Sequence, residues 1–61
     1  EAENATLARA KRLLEKVYHL SESDAHHFIQ KKSMSDGIKM ADAAARVIRA
    51  IETAAKKQKQ A

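Results

Sequence analysis

Lys31, Lys32 and Lys39 fall within nine residues of one another, and Asp36 is the only acid among them. Ammonium groups clustered this way suit the phosphates of a nucleic-acid backbone, although a merely solvated face has the same composition. Beside them, Gln30 carries an amide able to bond a base edge, and His27 a flat ring able to stack on one. Isolated glutamines and histidines are more often plain surface. The three histidines, His19, His26 and His27, invite a metal reading. Zinc, however, needs three or four well-spaced ligands, and the chain has neither a cysteine nor a helical His-x-x-x-His pair, so neither metal nor cofactor is expected. Ser21, Glu22 and Asp24 resemble a hydrolytic set only until helix capping is considered, because serine-x-x-acid is the form of a capping box. No residue is assigned a catalytic role, and an enzyme is not expected.

The elements that must position these side chains are constrained by size. A chain of 61 residues makes one domain, and such a domain buries only about 60% of its unfolded surface. A cleft for a drug-sized ligand would consume most of its core. Without cysteine there is no disulfide framework, and a cytoplasmic origin is the default. No apolar run reaches the roughly 20 residues of a membrane span, and the acidic and polar start, Glu1 to Thr6, is unlike a signal peptide. A first residue other than Met leads to the expectation of a fragment cut from a longer protein. The net charge is +4, but Lys56, Lys57 and Lys59 supply three of those charges, leaving residues 1–55 at +1. Any nucleic-acid reading therefore rests on where the cations cluster.

With no proline, one glycine and abundant alanine, the composition favours helix almost throughout. The first helix is expected over residues 2–18, with Leu7, Ala10, Leu14 and Val17 as its apolar stripe, Leu13 widening it, and Arg9, Arg12 and Lys16 opposite. Residues 1–6 read as the end of an upstream helical linker or coiled coil. A turn at Tyr18-His19-Leu20 precedes the Ser21 cap of a second helix, which turns Ala25, Phe28 and Ile29 inward and His26, His27, Gln30 and Lys31 outward. Met34, outward in ideal phase, is expected to pack under the next turn. Asp36-Gly37 should end that helix, with Ile38 covering the end. The third helix is expected from about Met40 to Ala54, with Met40, Ala44, Val47, Ile48 and Ile51 inward and Asp42, Arg46 and Arg49 outward, Asp42 pairing with Arg46 and Arg49 left free. Residues 7–54 would form an all-α, compact three-helix bundle, and 55–61 a basic, fraying tail.

Ala10-Lys11, Leu13-Leu14, Leu20-Ser21-Glu22, Asp24-Ala25, Ile29, Lys31, Ser33-Met34, Met40 and Ala44 together resemble the ANTAR domain of bacterial transcription antitermination regulators. The resemblance spans about residues 7–51. Its alanine-lysine and leucine signature, followed by leucine-serine-glutamate-x-acid-alanine, is fairly specific, because it fixes a helix end, a cap and a packing alanine at set offsets. Two positions depart from the pattern. Ser33 stands where alanine is usual, and His26-His27 where an aromatic and a polar or basic residue are common.

The resemblance implies the output domain of a dimeric sensor or response regulator, joined to it by a helical coiled coil. It also implies binding to RNA hairpins in a nascent leader transcript, so that an overlapping terminator cannot form. Under that reading Lys11, Lys31, Lys32 and Lys39 neutralise phosphate, while His27, Gln30 and Ser33 lie near the unpaired bases of a loop. Lys11 belongs to the alanine-lysine signature and flanks the helix 1 stripe, where its stem packs and its amine reaches outward. Two other functions compete. A DNA-binding helix-turn-helix would use helix 3 for recognition, yet residues 41–45 are four alanines and an aspartate, poor in base-reading groups. A protein-docking or dimerisation bundle would bind no nucleic acid at all.

Overall fold

The computed structural model describes the backbone of residues 2–60 and the side chains of residues 4–56. Three helices follow in order, α1 Ala2–Tyr18, α2 Glu22–Asp36 and α3 Met40–Gln60, and each packs against the other two. The expected all-α three-helix bundle is the observed fold.

Both connections are set by local chemistry. Ser21 sits in extended conformation, and its Oγ accepts the Asp24 backbone N–H at 3.1 Å, while Glu22 and Asp24 place carboxylates in the first turn of α2, at the positive end of the helix dipole. Ser21→Ala should therefore cost about 1 kcal/mol of stability in urea unfolding, the usual worth of an N-cap side chain. No measurable change would mean that the cap is satisfied without Oγ. At the other end Gly37 takes φ 64°, its N–H donates to the Met34 carbonyl, and the Ile38 N–H donates to the Ser33 carbonyl at 3.0 Å. This is a Schellman ending, which closes two orphan carbonyls and turns Ile38 back onto the core. His19, at φ 59°, makes the corresponding left-handed turn after α1.

The core is one cluster. Leu14 and Ile29 are its largest fully buried side chains, joined by Ala10, Ala25, Ala43, Ala44, Val47, Ile48 and Ile51, with Leu7, Leu13, Leu20, Ile38 and Met40 packed around them. Four fully buried alanines let the helix backbones approach closely, so a small amount of apolar volume fills the space between them.

Three expectations about facing are corrected. Phe28, expected inward, is 49% exposed. The buried line of α2 is Ala25, Ile29 and Ser33, at i, i+4 and i+8, which leaves Phe28 on the rim. Val17 has the phase of the stripe but is 47% exposed, because the last turn of α1 runs past the cover given to Ala10 and Leu14. Met34, expected under the turn, is 75% exposed; Ile38 takes the place over the helix end.

Helix α3 continues to Gln60, beyond the expected end at Ala54. Its apolar stripe ends at Ile51, but alanine, lysine and glutamine are strong helix formers, and neither glycine nor proline interrupts them. The side chains of Lys57 and Lys59 lie outside the described residues, as do Glu1 and Ala61.

Candidate nucleic-acid interface

The outward face of α2 collects three of the seven candidate residues. His27, Gln30 and Lys31, together with Met34, line one shallow depression, as expected of side chains three and four residues apart on a helix. All four are exposed. The side chains of His27, Gln30 and Lys31 make no hydrogen bond or ion pair among the described residues, so their polar groups are available to a ligand. A cation, an amide and an imidazole on one rigid helix are what phosphate, base-edge and stacking contacts require.

The other four candidates divide. Lys39 is exposed in the connection between α2 and α3 and has no ion-pair partner among the described residues. Lys32 is exposed but lies 3.5 Å from Asp36, an i, i+4 ion pair. Lys11, on α1, is half-buried, which fits a stem packed along the helix flank. Ser33, expected near the loop bases, faces the core: it is 6% exposed, its hydroxyl donates to the Gln30 carbonyl at 2.8 Å, and the Met40 sulfur lies 3.4 Å away. The position needs a small side chain because it closes the α2 line against the core. The serine fits by returning its proton to its own helix.

The cations of α3 were placed less well by spacing. Arg46 does not pair with Asp42. It reaches Asp36 across the turn at 3.3 Å, so that one carboxylate holds both Lys32 and Arg46. Asp42 sits in the first turn of α3, where it complements the helix dipole. Arg49 is exposed and has no ion-pair partner among the described residues, as expected. Arg9 bonds Glu52 at 3.0 Å and ties α1 to α3, a pair separated by 43 residues that no local spacing could announce.

The sequence matches the ANTAR domain family over residues 2–48. The chain belongs to the ANTAR domain family. ANTAR domains are RNA-binding domains of transcription antitermination, regulatory rather than catalytic. Neither a curated protein nor a solved structure matches the chain. The ANTAR match takes in α1, α2 and the start of α3, and so includes all seven candidate residues; Arg49 and Ile51 fall beyond it. Among the described residues of this ANTAR domain, no helix is long and apolar enough to cross a membrane, and no group of three or more histidines, cysteines or carboxylates could hold a metal ion.

Proposed function

We propose that this domain binds RNA hairpins bearing an unpaired loop in a nascent leader transcript, and that holding them prevents an overlapping terminator from forming. In the bacterial cytoplasm it would act as the output domain of a sensor or response regulator, paired with a second copy through a helix upstream of α1. Membership of the ANTAR family supports RNA as the ligand class. The observation that carries the reading to particular residues is the unpartnered set His27, Gln30 and Lys31 on one face of α2. Lys31 and Lys39 would neutralise phosphate, with Lys32 and Lys11 at the margins; Gln30 and His27 would meet loop bases already unstacked.

A DNA-reading helix-turn-helix is less well supported. The first turns of α3 would have to enter the major groove, yet Ala43 and Ala44 there are fully buried in the core. A gel-shift titration at two salt concentrations tests the reading, using a looped RNA hairpin, the same stem without its loop, and duplex DNA. Preference for the looped hairpin is expected. Preference for duplex DNA would reverse the choice, and binding to none would favour a docking bundle. Gln30→Ala should change the ranking among loop sequences; equal weakening for every loop would remove Gln30 from base readout.

A further inference from the structure

Tyr18 and Phe28 are the chain's only tyrosine and only phenylalanine, and both are about half exposed, at 55% and 49%. They line the same cavity. It has a volume of about 210 Å³, lies where α1, α2 and α3 meet, and is walled further by the buried Val47 and Ile51, with Lys32 and Arg46 at its edge. We infer that this cleft is a stacking site for one unpaired nucleobase, the ring entering between Tyr18 and Phe28 and the attached phosphate meeting Lys32 and Arg46.

The inference rests on the RNA-binding reading and adds a second contact to it, away from the His27–Gln30 face. Size argues against other occupants. The cavity is smaller than the roughly 300–1,000 Å³ of small-molecule pockets, and a partner helix needs a groove long enough for anchors at i, i+3, i+4 and i+7. A single planar ring needs neither. Charge narrows the choice further. Lys32 and Arg46 line the cleft itself, Lys31 shares a shallow depression with Phe28 and Lys32, and Arg49 shares one with Arg46 and another with Glu52, so cations outnumber the acids Asp36 and Glu52 around the cleft. A second copy of this chain docking here would bring the same cationic collar against it. An RNA strand brings the opposite charge and an aromatic ring on the same residue, and base–aromatic stacking tolerates any base. Lys31 borders both the Phe28 depression and the His27–Gln30 face, so one strand can run from the cleft across Lys31 to that face.

Tyr18 makes the test direct, since the chain has no other tyrosine and no tryptophan, and its emission reports this cleft alone. The 61-residue protein is titrated with a hairpin whose loop is randomised and with the same stem closed as a blunt duplex, following both RNA mobility and Tyr18 fluorescence. The looped hairpin should quench Tyr18 and the blunt stem should not. Phe28→Leu, which keeps the apolar wall and removes the ring, should weaken the looped hairpin by about 5- to 150-fold, the usual loss for one base–aromatic stack, while retaining wild-type helicity and affinity for the stem. If the wild-type protein shifts the hairpin but either Tyr18 stays unquenched or Phe28→Leu binds as tightly, the cleft is overturned and the RNA-binding reading stands. If no RNA is shifted, both fall.

Discussion

Ile29→Ala should leave a large part of the protein unfolded at room temperature. Ile29 is fully buried at the centre of α2, and with Leu14 it is one of the two largest side chains closed off from solvent. Truncating a buried isoleucine to alanine removes about 2–5 kcal/mol through lost transfer energy and the cavity left behind. A domain below roughly 70–80 residues rarely holds more than about 3–5 kcal/mol in all. No disulfide supports this one. The mutation therefore consumes most of the margin, and far-UV circular dichroism should show a large loss of helicity with a urea transition shifted toward zero denaturant. A cooperative transition at the wild-type midpoint would mean that the core is not organised around Ile29. Val17→Ala is the matched control: with its side chain half exposed, it should change stability only slightly.

Affinity for a looped hairpin should fall roughly 50-fold between about 50 and 200 mM salt. Four phosphate contacts, from Lys11, Lys31, Lys32 and Lys39, give a log–log slope near −3 at about −0.7 per contact on single-stranded RNA. The four are not equivalent. Lys31 is exposed and unpaired, so Lys31→Ala should flatten the slope by about 0.7 and weaken every loop alike. Lys32 already faces Asp36, and Lys32→Ala should change the slope less. Salt-independent binding would remove the lysines from the interface altogether.

The helix boundaries around α2 were legible because they depend on neighbours in sequence. Ser21 caps the N–H three residues ahead, and Gly37 ends the helix through carbonyls three and five residues behind the amides that reach them. The end of α3 was not legible, because the apolar stripe stops at Ile51 while propensity carries the helix onward. Facing on α2 was read with Phe28 as part of the stripe, whereas the packed line runs through Ser33. That single change of phase moves a serine from the candidate site into the core and a phenylalanine from the core to the surface. The availability of His27, Gln30 and Lys31 followed from helical phase alone. The sharing of Asp36 between Lys32 and Arg46, and the Arg9–Glu52 pair, arise only when helices dock, and no spacing along the chain encodes them.

The two connections, residues 19–21 and 37–39, are three residues each, so each helix meets its sequence neighbour with almost no loop to close. Only the docking of α1 on α3, marked by Arg9 and Glu52, draws together distant parts of the chain. Helical bundles wired in this way assemble in microseconds to milliseconds, whereas a ribosome adds only about 5–20 residues per second. Assembly therefore keeps pace with synthesis. A weakened variant of this domain would be scarce because few of its molecules are folded at any moment, and not because each takes long to fold.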